Sequence, residues 1–121
     1  TVSQFSRTRL AAAGLTSSAI VVENGFDHIL RAGRDDGVLS RGRLRAGRYA
    51  LAFASRQPHK NTALLLDLFA TARSDGVELA LVGQPPAHSP AGVRWLGEPT
   101  DAELRVLYEN ALVLLSPSTT E

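Results

Sequence analysis

The sequence predicts an α/β fold in which helices flank a Rossmann-like parallel β-sheet. Four short apolar runs indicate strands at residues 49–54, 78–82, 93–96 and 112–115. Two stretches with helical spacing indicate helices, one at about residues 61–73 and one that follows Thr100. The predicted order is β-α-β-β-α-β. Strands that alternate with helices of this length are typical of a parallel, doubly wound sheet.

Both helical stretches carry end signals and an apolar face. Asn61 is a favoured N-cap residue for the first helix, and Asp75-Gly76 ends it. Thr100 and Glu103 have the spacing of a capping box at the start of the second helix. The residues at one-face spacing are expected to be buried: Leu65, Leu68, Phe69 and Ala72 in the first helix, and Leu104, Leu107, Tyr108 and Ala111 in the second.

The first 48 residues are less regular. Residues 1–3 are a candidate strand end, Ser6 is a candidate cap for a short helix through Ala13, and Gly14 is placed to stop that helix. A short apolar run at residues 19–22 leads to the turn signal Asn24-Gly25. Residues 28–48 contain six arginines and four glycines with poor hydrophobic periodicity. We interpret them as a solvated surface segment that links two structural units.

Composition excludes several classes of function. The 121 residues suffice for one small domain, and 44% hydrophobic with 21% charged residues is typical of soluble globular chains. The net charge of +1 lacks the positive excess that is typical of nucleic-acid-binding proteins, and residues 28–48 contain no Phe, Tyr or Trp for base stacking. Cysteine is absent, which excludes disulfides and thiolate chemistry. No apolar run approaches the roughly 20 residues of a membrane span.

The loop after the first predicted strand is the strongest candidate for a functional site. It contains Lys60, the only lysine in the chain, beside the predicted start of a helix. A positive side chain there suits a phosphate, because the helix N-terminus also favours an anion. In an open parallel sheet the loops after the strands share one edge, where ligands bind. The residues expected at this edge are Ser55, Lys60, Gly83, Gly97, Ser116, Ser118 and Glu121.

Several well-known catalytic motifs are missing. The sequence has neither a GxGxxG fingerprint nor a Walker A pattern, so a dinucleotide site or a P-loop is not supported. The histidines His28, His59 and His88 lack the spacing of metal ligands, and we expect no bound metal. Ser116 and Ser118 lack the Gly-x-Ser-x-Gly elbow of a hydrolase.

An ordered set of short motifs resembles the retaining nucleotide-sugar glycosyltransferases of the GT-B fold, in the large GT4-type group. Each motif alone is weak, but the set spans nearly the whole chain in the family's order. The segments that carry the resemblance are Thr1-Val2-Ser3-Gln4-Phe5-Ser6, Asn24-Gly25-Phe26-Asp27, Phe53-Ala54-Ser55, Pro58-His59-Lys60-Asn61, Leu81-Val82-Gly83, Val93, Leu96-Gly97, Leu104, Tyr108, Ala111 and Ser116-Pro117-Ser118-Thr119-Thr120-Glu121.

The resemblance implies a domain layout. Residues 1–27 match the end of an N-terminal, acceptor-side domain, and residues 28–48 match the interdomain linker. Residues 49–121 match the first half of the C-terminal, donor-binding domain of a GT-B fold. The chain lacks methionine and stops after an apolar run, so we expect it to be a piece of a longer protein. Its basic residues are nearly all arginine and alanine is abundant, which fits a GC-rich bacterial source. The 121 residues alone are expected to be inactive as a transferase.

The resemblance also implies an activity. It is the transfer of a sugar, with retention of configuration, from a UDP-, GDP- or ADP-activated donor to a sugar, lipid or glycan acceptor. No metal or other cofactor is implied, and no nucleic acid. Such an enzyme is expected in the cytoplasm, with peripheral membrane association when its acceptor is a lipid.

Site residues follow from the same resemblance. Lys60 matches the lysine that neutralises the donor diphosphate, while Ser55 stands where many members have arginine, and Arg56 is a candidate substitute. Ser118 and Glu121 match the donor-sugar side, and Glu121 matches the first glutamate of the catalytic Glu-x7-Glu motif. The residues that match the base and ribose region are Gly83, Leu96 and Gly97.

Two alternatives remain open at the level of sequence. One is a GT-B nucleotide-sugar epimerase, against which the match at His59-Lys60-Asn61 argues. The other is a non-catalytic binding or signalling module of flavodoxin-like architecture. A receiver-type signalling domain needs acidic residues at strand ends, and Ala54-Ser55 and Val82-Gly83 supply none.

Overall fold

The centre of the protein is a four-stranded, all-parallel β-sheet with helices against it. The structure is a computed structural model that describes residues 1–15, 18–71, 76–86 and 89–119. The strands are β1 (Tyr49–Phe53), β2 (Glu78–Val82), β3 (Val93–Trp95) and β4 (Val113–Leu115). The helices are α1 (Gln4–Ala12), α2 (Asp27–Arg31), α3 (Gly37–Arg41), α4 (Thr62–Thr71) and α5 (Asp101–Asn110). The predicted α/β fold with a parallel sheet is confirmed.

The strands lie side by side in the order β3-β2-β1-β4, so successive strands are added first on one side of β1 and then on the other. The chain moves outward from β1 through β2 to β3 and then returns to place β4 on the other side of β1. In register, Leu51 of β1 lies between Ala80 of β2 and Leu114 of β4. The boundary between β1 and β4 is therefore a topological switch point, which is where open α/β sheets bind ligands.

The two central strands are buried on both faces, which explains why they read as continuous apolar runs. On one face Tyr49 and Leu51 pack with Leu107 of α5. On the other face Ala52 and Leu81 pack with Leu65 of α4. The core residues with essentially no solvent exposure are Tyr49, Leu51, Ala52, Leu79, Ala80, Leu81, Val106 and Leu107.

The predicted face of α4 is only partly correct. Leu65 is buried and Phe69 is half-buried, but Leu68 is 48% exposed. Ala72 and the predicted helix end near Arg73 lie outside the described residues. Asn61 precedes the helix as expected, but its left-handed backbone (φ 52°, ψ 36°) differs from the extended conformation of an N-cap residue.

In α5 the predicted capping box is confirmed. The Thr100 hydroxyl accepts from the backbone of Glu103, whose carboxylate accepts from the backbone N–H of Thr100 at 2.7 Å. Val106 and Leu107 are fully buried, whereas Tyr108 is 38% exposed, so the expectation that Tyr108 is buried is wrong. Successive helical residues are about 100° apart, so Tyr108 lies about 100° beyond Leu107, on the side away from Val106. None of the described helices is long and apolar enough to cross a membrane.

The segment at residues 28–48 is more ordered than its sequence indicates. It contains most of α2 and all of α3, and it places Val38 and Leu44 in the core that Leu107 also joins. Ion pairs join Arg34 to Glu109 and Arg41 to Glu103. Carboxylates of α5 therefore neutralise two of the arginines in this segment. The expectation of a wholly solvated surface segment is therefore wrong at these positions. Its role as a link between two domains stays a prediction.

The N-terminal helix α1 begins earlier than expected. Its N-cap is Ser3, whose hydroxyl oxygen accepts from the backbone N–H of Ser6 at 3.1 Å, so the assignment of the cap to Ser6 is wrong. Thr1 is held to the apolar run at residues 19–22 by its amino group, which donates to the Ile20 carbonyl, and by its carbonyl, which accepts from Val22. Residues 1–3 and 19–22 form no strand.

Candidate functional site

An open pocket of about 270 Å³ lies at the carboxyl end of the sheet, between the loops after β1 and β4. We call these the β1 loop (residues 54–61) and the β4 loop (residues 116–119). The pocket is lined by Phe53, Ala54, Ser55, Lys60, Tyr108, Leu114, Leu115, Ser116, Pro117 and Ser118. The structure thus brings together four of the residues predicted to share this edge: Ser55, Lys60, Ser116 and Ser118.

Hydrogen bonds of the first residue of α4, Thr62, close the β1 loop by joining its end to Ser55 near its start. The Thr62 hydroxyl accepts from the Ser55 N–H at 3.1 Å and donates to the Ser55 carbonyl at 3.1 Å. The Gln57 N–H donates to the Ser55 hydroxyl oxygen at 3.2 Å. A single 3₁₀ turn, Pro58–Lys60, then leads through Asn61 into the helix. These contacts fix Lys60 two residues before the α4 N-terminus.

The β4 loop is tied directly to the β1 loop. Both the N–H and the hydroxyl of Thr119 donate to the His59 carbonyl, at 2.8 and 3.3 Å. The residues on either side of this contact, Lys60 and Ser118, both line the pocket. Two loops that are 60 residues apart in sequence are thereby held as the two sides of one site.

Electrostatically, one end of the pocket suits an anion. Lys60 supplies a positive charge, and the N-terminus of the ten-residue α4 adds the positive end of a helix dipole. The hydroxyls of Ser55, Ser116 and Ser118 offer hydrogen-bond donors around it. A phosphate or another small anion is the ligand class that this combination fits.

The other side of the pocket is apolar and aromatic. The rings of Phe53 and Tyr108 contact each other with centroids 6.1 Å apart and planes tilted by 33°. Desolvation raises the pKa of the Tyr108 hydroxyl above its ordinary value. The hydroxyl therefore stays protonated at neutral pH and can donate a hydrogen bond. Leu114 of the edge strand β4 continues this wall.

Gly83 and Gly97 lie beside the pocket rather than in its lining. They pair with each other, because the Gly83 N–H donates to the Gly97 carbonyl at 2.8 Å. Gly83 has φ of 134°, and a Cβ there would lie 3.1 Å from the Cβ of Ala54, which joins this pair to the β1 loop. The Leu96 side chain packs on the hydrophobic core. These three residues therefore lie outside the lining that contains Lys60 and the serines.

The remaining predicted site residues do not join the cluster among the described residues. Arg56 is exposed and does not line the pocket. Glu121 lies outside the described part of the chain. Sequence reasoning missed Thr62, Thr119 and Tyr108 as parts of the site. Thr62 and Thr119 act through hydrogen bonds that no spacing rule identifies, and Tyr108 has the spacing of a core residue.

The sequence matches no known protein-family model, and it has no significant match among curated proteins. The chemistry of the site therefore has to be argued from the residues of this chain.

Proposed function

We propose that the pocket between the β1 and β4 loops binds the diphosphate of a nucleotide-sugar donor, in a retaining glycosyltransferase of the GT-B fold. The observation that supports this most is the position of Lys60. It lines a pocket at the topological switch point of a parallel sheet, two residues before the N-terminus of α4. The motif order in the sequence supports the sugar-nucleotide class within the wider class of phosphate ligands.

In this proposal Lys60 acts on the leaving group. As the bond between the sugar and the diphosphate breaks, negative charge grows on the diphosphate oxygens. A fixed ammonium group and a helix N-terminus stabilise that charge without reorganising during the reaction. Ser116 and Ser118, across the pocket from the β1 loop, donate hydrogen bonds to the same phosphates.

The proposed phosphate clamp contains one cation rather than two. Ser55 occupies the position at which the resemblance leads one to expect an arginine, and its N–H and C=O are used by Thr62. Arg56, the other candidate, is exposed and outside the lining. Lys60 therefore carries most of the charge neutralisation, and its loss should have a large effect on affinity.

The rest of the donor extends from this point in two directions. The nucleoside lies along the loops that carry Gly83 and Gly97, where the absence of side chains lets a ligand approach the backbone. The sugar lies on the side of Ser118 and Glu121, where Glu121 is the proposed catalytic carboxylate. The acceptor then enters from outside the sheet edge.

The test is binding of UDP, GDP and ADP to the protein, measured by isothermal titration calorimetry. At least one of them should bind, and Lys60→Ala should weaken it about 10- to 100-fold, as expected for a lost charge-assisted hydrogen bond of about 1.5–3 kcal/mol. Arg56→Ala is the matched control, because it removes an exposed cation that does not line the pocket, and it should change affinity less than twofold. Failure of all three diphosphates to bind, or equal binding by Lys60→Ala, contradicts the proposal.

A further inference from the structure

The pocket between the β1 and β4 loops has two chemically different halves. Lys60 and the three serines form a polar end, and Phe53, Tyr108 and Leu114 form an apolar wall. A bare phosphate uses only the polar end. The wall beside it suits a ligand that carries a second group, with an apolar face, next to its phosphate.

The two tyrosines of the chain differ in the partners of their hydroxyl groups. The Tyr49 hydroxyl is buried and donates to the Leu107 carbonyl at 2.7 Å. The Tyr108 hydroxyl has no hydrogen-bond partner among the residues that the structure describes, although its ring is fixed against Phe53. Tyr108 thus presents a protonated hydroxyl that is available to whatever occupies the pocket.

The size of the pocket limits what this second group is. Pockets for drug-sized ligands have volumes from about 300 to 1,000 Å³, and this one has about 270 Å³. It accommodates one ring with its phosphate, not a complete nucleotide sugar. The nucleoside then has to lie outside it, which is consistent with the position of Gly83 and Gly97 beside the pocket.

The chemistry of the wall fits a sugar ring better than a base. A hexose has a face of C–H groups that packs on an aromatic ring, and a rim of hydroxyls that needs donors and acceptors. The aromatic pair of Phe53 and Tyr108 matches the face, and the Tyr108 hydroxyl, which the phosphates do not use, matches the rim. A base also stacks on the rings, but in a nucleotide sugar the ribose separates the base from the phosphates, whereas the sugar is bonded directly to the terminal phosphate and therefore reaches a wall next to Lys60.

We propose that Phe53 and Tyr108 hold the hexose ring of the donor, with the Tyr108 hydroxyl hydrogen-bonded to a sugar hydroxyl while Lys60 holds the phosphate attached to that sugar. Tyr108 is then a specificity-determining residue for the sugar. This inference rests on the proposed donor site. It adds a sugar-contacting wall that is formed by a strand end and a helix edge.

The test compares a nucleoside diphosphate with its hexose conjugates. We take the diphosphate that binds best and titrate the protein with it and with its glucose, galactose, mannose and N-acetylglucosamine derivatives. The wild-type protein should bind at least one derivative more tightly than the diphosphate. Tyr108→Phe should weaken that derivative about 2- to 10-fold, the effect of one neutral hydrogen bond, and change the diphosphate less than twofold. Phe53→Leu keeps an apolar side chain but removes the ring face, and it should act in the same direction.

Tyr49→Phe is the control, because it removes a tyrosine hydroxyl outside the pocket and should leave both affinities unchanged. The inference is overturned if no hexose derivative binds more tightly than the diphosphate, or if Tyr108→Phe weakens both ligands equally. Those results are distinct from failure of the donor site itself, in which no diphosphate binds or Lys60→Ala has no effect. Far-UV circular dichroism of each variant shows that it is folded.

Discussion

The N-terminal stretch (residues 1–30) and the sheet unit (residues 49–119) use similar apolar residues with opposite results. In the sheet unit Leu51, Leu79 and Leu81 have no solvent exposure. In the N-terminal stretch Phe5 is 71% exposed and Ile20 is 76% exposed, and α1 contains no buried residue. The difference is not hydrophobicity but the presence of paired strands and a covering helix. Stability should therefore be concentrated in the sheet unit.

The largest effect is expected for truncation of a core leucine. Leu81→Ala should lower the free energy of unfolding by about 2–5 kcal/mol, because it removes a buried side chain and leaves a cavity. Leu15→Ala removes the same atoms from a side chain that is 73% exposed, and it should change stability by less than about 0.5 kcal/mol. Urea unfolding monitored by circular dichroism measures both. A cost above about 1.5 kcal/mol for Leu15→Ala would show that the N-terminal stretch belongs to the cooperative core.

The buried hydroxyl of Tyr49 makes the sheet unit sensitive to alkaline pH. Desolvation raises the pKa of Tyr49 to about 12, so the unfolded chain loses this proton first as pH rises. The stability that this group contributes is complete below about pH 10. It should fall by up to about 2–3 kcal/mol as pH approaches about 12.

The measurement is urea unfolding from pH 9 upward for the wild type and Tyr49→Phe. The variant should be about 1 kcal/mol less stable at neutral pH, since it loses the hydrogen bond to Leu107. The difference between the two proteins should shrink as pH rises above 10 and reverse sign before about pH 12, because the expected loss in the wild type exceeds its initial advantage. A difference that stays constant with pH would show that the tyrosine ionises equally in both states.

A smaller effect is expected at Gly83, where two loops approach closely. Gly83→Ala places a Cβ 3.1 Å from the Cβ of Ala54 at φ of 134°, and it should destabilise the protein by about 1–3 kcal/mol. Gly25→Ala, in the N-terminal stretch, places a Cβ with no atom within 4 Å and should be nearly neutral. Thermal unfolding of the two variants gives the comparison. Equal losses in both would mean that the contact with Ala54 has no energetic importance.

The smallest effects concern the helix caps, and they separate local from global stability. Thr100→Ala breaks the capping box of α5 and should cost about 1 kcal/mol of global stability. Ser3→Ala removes the equivalent cap of α1. It should speed amide hydrogen exchange within α1 while leaving the urea midpoint nearly unchanged. Loss of global stability on Ser3→Ala would show that α1 is coupled to the sheet unit.

The sequence predicts the sheet unit well because its signals are local. Alternation of apolar runs with helical patterns locates all four strands to within one residue at each end. The capping box at Thr100 is a pairwise pattern that needs no tertiary information. The placement of Ser55, Lys60, Ser116 and Ser118 at one edge of the sheet follows from the parallel arrangement. That these residues line one pocket without Gly83 and Gly97 depends on the strand order, which places β4 beside β1.

The features that the sequence does not predict depend on contacts between distant residues. Val38 and Leu44 are six positions apart in an arginine-rich segment, and no periodicity marks them as core residues. Thr119 joins the two loops through the His59 carbonyl, which only the folded chain brings near. Tyr108 has the spacing of a buried residue but lies at the edge of its helix face. The same is true of burial, because apolar residues of the sheet unit are covered by neighbouring strands and helices, and those of the N-terminal stretch are not.

The most direct test of the donor site is an amide NMR titration with the nucleoside diphosphate that binds. The largest shift changes should fall on residues 55–61 and on Ser116, Ser118 and Thr119, with little change in α1. In Lys60→Ala these changes should require at least tenfold more ligand. If the shifts centre elsewhere, or if they are the same in Lys60→Ala, the pocket between the β1 and β4 loops is not a diphosphate site.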